Sequence, residues 1–177
     1  MDERERARVR AAIDAAEGRG PVADLSDASL RVLFAATRTI AIVGASPRPD
    51  RPSHGVLLAL ASAGWKILPV NPAPAALEDG IAGLPCYPSL TAAAASLPVG
   101  ERIDLVDVFR RPEDCAEVAR EAVAVSARWL WLQLGIVDEE TARIAAHASI
   151  PCVQDRCTAI EVARLGLRAE FAEPNGA

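Results

Sequence analysis

The feature that most constrains this chain is an alternation of short apolar runs with longer helix-patterned stretches. Residues 39–43 (TIAIV), 65–70 (WKILPV), 103–109 (IDLVDVF), 129–134 (WLWLQL) and 151–154 read as strands. Residues 53–63, 89–95, 112–126, 138–148 and 156–165 read as helices, with Ser89 and Asp138 as N-caps and Pro112 in a first turn. A short extended piece is expected near residues 84–87. Strands spaced by helices of about 10–15 residues imply right-handed βαβ crossovers. The expected fold class is therefore α/β: a doubly wound, mostly parallel sheet with helices on both faces. Asp104 and Asp107 interrupt an otherwise apolar strand. A sheet-edge place and a capping role are both open for them.

The length of 177 residues suits one domain. Residues 1–38 read as a helical N-terminal extension, 39–167 as the sheet domain and 168–177 as a tail. Within the extension, residues 2–17 form a charged helix. Ser26 caps a second helix, which buries Leu30, Leu33 and Phe34. The formal net charge is −5 and only 4% of residues are aromatic. No global basic field or stacking platform exists for nucleic acid, so any anion site must be local. No apolar run approaches a membrane span, and the charged N-terminus does not resemble a secretory signal. Cys86, Cys115, Cys152 and Cys157 form no C-x-x-C pair, and only His54 and His147 accompany them, which argues against structural zinc. A reduced cytoplasmic protein is the expectation. A protein partner or a homo-oligomer is compatible with the sequence but not specified by it.

In an open parallel sheet, ligands bind beyond the carboxyl ends of the strands. Those ends are residues 44–53, 71–74, 110–111, 133–135 and 155–157, and they should converge on one crevice. In the first, Gly44 allows a sharp turn. The N–H groups of Ala45 and Ser46, the Ser46 hydroxyl and a helix start at Ser53 could face an anion, with Arg48 and Arg51 adding positive charge. The spacing is not G-x-G-x-x-G. The second strand ends Val70-Asn71-Pro72 with no carboxylate to hold unmodified ribose hydroxyls. That exclusion fits both NADP and coenzyme A. Val108-Phe109-Arg110-Arg111 precedes another helix start, where a second anion site and a pair of solvated surface arginines are both open readings. Gln133 either hydrogen-bonds an amide-bearing ligand or satisfies loop backbone. Cys157 is expected at a helix start beside Arg156; a small buried packing residue and a thiolate favoured by that position are both open for it. No Ser-His-Asp set and no carboxylate pair indicates catalysis.

Six motifs in order resemble the single-domain CoA-binding proteins, a small family related to the CoA-binding domain of the succinyl-CoA synthetase α subunit. They are Ile42-Val43-Gly44-Ala45-Ser46-Pro47 with Asp50-Arg51-Pro52-Ser53, Pro69-Val70-Asn71-Pro72, Cys86-Tyr87-Pro88-Ser89-Leu90, Asp107-Val108-Phe109-Arg110-Arg111, Trp131-Leu132-Gln133-Leu134-Gly135 and Asp155-Arg156-Cys157. The resemblance implies a Rossmann-like fold that holds coenzyme A or an acyl-CoA as its small-molecule ligand. It assigns the phosphates to Gly44, Ala45, Ser46 and Arg51. It assigns the nucleotide to Val70, Asn71 and Pro72, and the pantetheine path to Val108, Phe109 and Arg110. Ala73 stands where relatives often carry lysine, a contact that Arg48 or Arg51 would replace. The second synthetase domain and its phosphorylated histidine are missing from the sequence, so no acyl-CoA synthesis by this chain alone is expected. The alternatives are an NADP-dependent oxidoreductase domain and the CoA-binding subunit of a split acyl-CoA ligase. Under oxidation, a mixed disulfide between Cys157 and CoA is chemically reasonable.

Overall fold

The computed structural model describes residues 25–73 and 79–170. Within them, helices and strands alternate: α1 (Asp27–Ala35), β1 (Thr39–Val43), α2 (Pro52–Ser62), β2 (Lys66–Val70), α3 (Leu90–Ala95), β3 (Leu105–Val108), α4 (Pro112–Ala124), β4 (Trp129–Leu132), α5 (Glu139–His147), β5 (Cys152–Val153) and α6 (Thr158–Leu165). The helix expected over residues 2–17 lies outside the described residues. The strands form one parallel sheet in the order β2-β1-β3-β4-β5. This is a Rossmann-like α/β fold. The chain winds outward from β1 to β2, then returns past β1 to place β3 on its other side. Strand order therefore reverses between β1 and β3, and a crevice opens at their carboxyl ends.

Strand parity divides the core into two layers. Ala41, Val43, Val106, Val108, Leu130 and Leu132 face α3, α4 and α5. Ile40, Ile42, Leu105 and Trp131 face α1, α2 and α6. Helix α1 packs tightly onto this second layer. Ser26 Oγ accepts the Ser29 N–H at 3.1 Å, and Leu30, Leu33 and Phe34 are buried. The Phe34 ring centroid lies 5.4 Å from Trp65 and 5.9 Å from Trp131. Burying a side chain of that size contributes about 1.5–3 kcal/mol.

Several elements are shorter than the sequence pattern predicts. Strand β3 starts at Leu105 because Asp104 serves as a terminator. Its carboxylate accepts the N–H groups of Arg38 (2.8 Å) and Thr39 (3.1 Å), at the entry to β1. Helix α6 starts at Thr158 rather than residue 156, because Asp155 holds a left-handed backbone (φ 54°). The Asp155 carboxylate accepts the Gly135 N–H at 2.7 Å. The expected extended piece near residues 84–87 contributes one parallel bridge, Val70 to Tyr87. It runs beside β2, the strand that carries Pro69 and lies outermost in the ladder, where a missing N–H is tolerated.

Candidate functional site

The site begins with a close backbone approach. Gly44 follows β1 with φ +85°, and a Cβ there would fall 2.3 Å from the carbonyl oxygen of Phe109. Only glycine fits, so the loops after β1 and β3 meet main chain to main chain. The loop after β1 is then fixed from three sides. Gly44 N–H donates to the Val70 carbonyl (2.9 Å), Asn71 Nδ2 donates to the Ala45 carbonyl (2.9 Å), and His54 Nδ1 lies 2.9 Å from the Ser46 carbonyl. These contacts occupy the carbonyl groups of Ala45 and Ser46. The N–H groups of the same two residues donate to no atom of the described chain.

Around this loop opens a cleft of about 740 Å³, within the size range of small-molecule sites. It draws lining residues from all five strand-end loops: Gly44, Ser46, Arg51, Pro52, Ser53 and Val56; Asn71; Phe109, Arg110, Arg111 and Pro112; Gln133, Leu134 and Ile136; and Cys157.

Of the thirteen residues singled out in sequence, Gly44, Ser46, Arg51, Ser53, Asn71, Phe109, Arg110 and Gln133 line this cleft. Five lie elsewhere. The side chain of Ala45 is fully buried, so only its backbone is available. Val70 and Val108 point into the core by strand parity, and their carbonyl groups accept from Gly44 and Gln133. Pro72 is exposed beside the cleft rather than in its lining. Arg48 forms a two-bond pair with Asp50 (3.1 and 2.8 Å), which takes its charge away from the cleft. Ser53 is not the N-cap of α2. It sits buried in the first turn, one residue past Pro52, and Arg51 takes the N-cap position.

The cleft is electropositive for a specific reason. The guanidinium groups of Arg51 and Arg110 have no hydrogen-bonded or ion-paired partner among the described residues. Arg111, by contrast, pairs with Asp114 at 3.2 Å and Glu113 at 3.5 Å. Helices α2 and α4 both begin with proline, and their N-cap residues, Arg51 and Arg111, supply no side-chain acceptor. The third cleft-facing helix, α6, has Cys157 at its N-cap, again with no side-chain bond. In α2 and α4 the His54 and Asp114 N–H groups bond back to the Arg51 and Arg111 carbonyls, which leaves the N–H groups of Ser53 and Glu113 open; with the start of α6 these present the positive ends of three helix dipoles. Arg156, expected to favour a Cys157 thiolate, is engaged elsewhere. It pairs with Glu161 at 3.1 Å and donates to the Leu25 carbonyl at 3.1 Å.

Below the cleft, Gln133 and Asp107 resolve two questions the sequence leaves open. Gln133 does not use its amide nitrogen on loop backbone. It donates to Asp107 Oδ1 (2.6 Å) and Thr158 Oγ1 (2.9 Å). Asp107 takes a central place in β3, where burial pushes its carboxyl up to about 7 despite these hydrogen bonds. The sequence pattern does not single out Thr158, Val56, Leu134 or Ile136, whose contribution depends on loops folding back together from distant parts of the chain.

A family model described as CoA binding domain matches residues 38–163. YneT, an uncharacterized protein of Bacillus subtilis (strain 168), is 35% identical over 132 residues, which span 75% of this chain and 90% of that protein. A hypothetical protein from Pyrococcus horikoshii OT3 has a similar structure, with TM-score 0.70 and 31% identity over 82% of this chain and 95% of its own. The dinucleotide forming acetyl-coenzyme A synthetase 1 of Ca. Korarchaeum cryptofilum matches with TM-score 0.55 and 23% identity. That match covers 70% of this chain but 26% of the synthetase, and it is a likeness of fold. The family match spans the whole sheet and every loop that lines the cleft: the chain belongs to the CoA-binding domain family.

Proposed function

We propose that this protein binds coenzyme A or an acyl-CoA as a stand-alone, cytoplasmic module rather than catalysing a reaction. The observation that carries the reading is the set of open helix starts. Three helices begin at one cleft without side-chain caps, next to two arginines whose guanidinium groups have no partner in the described chain. Such groups favour an anion, and a polyphosphate ligand supplies several negative oxygens. In this reading the phosphates meet the N–H groups of Ala45 and Ser46, the start of α2, Arg51 and Arg110. The nucleotide lies toward Asn71 at the β2 end. The pantetheine arm passes Phe109 toward Gln133 and Cys157. The absence of a carboxylate after Val70 favours a ribose that carries a phosphate. All four cysteines are free thiols, which suits a reducing compartment.

Thermal unfolding with added ligand tests this reading. A ligand that binds only the native state stabilises it by about 2.7 kcal/mol at one hundred times Kd, a rise of several degrees in Tm for a chain of this size. CoA is expected to produce that rise, and NADH much less. Greater stabilisation by NADH than by CoA would overturn the reading.

A further inference from the structure

Asp107, Gln133 and Thr158 are all buried, at 0, 4 and 0% exposure. They come from β3, the residue just after β4 and the first residue of α6. Gln133 Nε2 donates to Asp107 Oδ1 at 2.6 Å and to Thr158 Oγ1 at 2.9 Å, and the Thr158 hydroxyl donates to Asp107 Oδ2 at 2.7 Å. A primary amide carries two N–H donors and one acceptor oxygen, whereas an ionised carboxylate only accepts. Both donors of Gln133 are thus used inside the protein. Turning the amide over would set its oxygen against Asp107 Oδ1, acceptor against acceptor, and leave both Asp107 and Thr158 short of a donor. With Asp107 ionised, as at pH 8, one orientation is therefore enforced. The remaining polar atom of Gln133 is its amide oxygen. It has no hydrogen bond in the described chain, yet it is not among the sealed, partnerless atoms of the core, and Gln133 lines the cleft.

We propose that Asp107 and Thr158 are positioning residues that lock the Gln133 amide with its oxygen toward the cleft, as an acceptor reserved for an N–H group of the ligand. The inference rests on the CoA reading and names the part of the ligand concerned: an amide N–H of the pantetheine arm. Neighbouring strands lie about 4.8 Å apart. Gln133, just after β4, is one strand from Arg110 and two from Gly44, so it stands roughly 5–10 Å from the proposed phosphate positions. The adenosine end extends the other way, toward β2. An arm of methylene and amide groups is what reaches Gln133, and Phe109 and Leu134 give it apolar walls.

Calorimetric titration at pH 8 with two ligands tests this. CoA has the amide arm, and adenosine 3′,5′-bisphosphate keeps anionic phosphates on the nucleoside without it. Gln133→Met keeps the length of the side chain and removes the acceptor together with the two donors to Asp107 and Thr158, so unchanged bisphosphate binding is the control that the site is intact. The substitution is expected to weaken CoA about tenfold and leave the bisphosphate unchanged, in keeping with the loss of one hydrogen bond. Thr158 is outside the cleft lining, so Thr158→Val is expected to weaken CoA alone, about threefold, by loosening the amide. Thr158→Ser, which restores the hydroxyl, should return the parent value. If Gln133→Met binds CoA like the parent, or if both ligands weaken equally in the variants, the proposal is overturned while the CoA reading stands. If the parent binds no CoA, the CoA reading falls and this inference falls with it.

Discussion

Two aspartates three residues apart end up at opposite ends of the sheet and are treated in opposite ways. Asp104, at the amino end, accepts two backbone N–H groups and has Arg102 and Arg128 at 3.7 and 3.8 Å. Asp107, toward the carboxyl end, is fully buried with only the neutral partners Gln133 and Thr158. Helix starts divide along a similar line. Ser26, Ser89 and Asp138 each cap their own helix by accepting an N–H three residues on, from Ser29, Ala92 and Thr141. Arg51, Arg111 and Cys157, which line the cleft, do not. Away from the cleft, the chain caps its own helix starts, although the buried Trp129 Nε1 has no partner among the described residues. At the cleft it leaves them open, and that contrast marks the site more sharply than concavity does, because the structure has other hollows without it.

The largest effect should come from the residue that brings the open loops together. Gly44→Ala adds a Cβ against the Phe109 carbonyl and imposes φ +85° on a side chain. A loss of about 3 kcal/mol or more is expected in urea unfolding. Gly100 has a similar φ, +89°, but a Cβ added there would meet nothing within 4 Å, so Gly100→Ala isolates the conformational cost at about 1 kcal/mol. Equal losses at the two positions would mean that the contact between the loops carries no energy of its own.

How much of this is legible in sequence depends on how far apart the interacting residues lie. The caps at Ser26, Ser89 and Asp138 are readable because a cap and its target are three residues apart. The parallel sheet follows from the alternation itself. The five strand-end loops can be named, and each of them contributes to the cleft lining. What cannot be read is pairing across the fold. Arg48 and Arg51 look alike in sequence, and only a turn that sets Asp50 against Arg48 separates the engaged arginine from the open one. Likewise, Asp107, Gln133 and Thr158 are 25 or more residues from one another, and nothing local in any of their motifs says that they meet. Helix α6 starts two residues later than its pattern suggests because Cys157 carries no capping chemistry and the turn depends on the backbone of Asp155.

The aspartate contrast predicts an effect on pH dependence. Burial raises the Asp107 carboxyl to about 7, so between the ordinary carboxylate range and pH 7 the folded protein holds a proton that the unfolded chain has released. Stability from this group is full below about pH 4 and is lost as pH rises to 7, with a slope of up to about 1.4 kcal/mol per pH unit. Asp107→Asn cannot titrate. Chemical unfolding of the variant from pH 4.5 to 8 should show a flatter profile than the parent, with the two curves separating as pH rises. Parallel profiles would place the Asp107 carboxyl back in the ordinary range.

The smallest expected change in stability tests the open helix start directly. Arg51 stands at the N-cap of α2 with extended backbone, φ −92° and ψ 136°, the conformation a capping side chain needs. Arg51→Asp puts an acceptor there. The introduced carboxylate can accept from the first turn of α2 and oppose the helix dipole favourably, adding about 0.5–1 kcal/mol to the stability of the ligand-free protein. The same substitution places an anion where the phosphates of CoA are proposed to sit, so CoA affinity should fall by at least about tenfold. Stability and binding would then move in opposite directions from one side chain, as expected where a site keeps polar groups open for its ligand. Unfolding and titration of the same preparation measure both. A variant that gains stability and still binds CoA like the parent would show that the start of α2 takes no part in anion binding. A variant that loses affinity without gaining stability would show that the uncapped start was already satisfied by water.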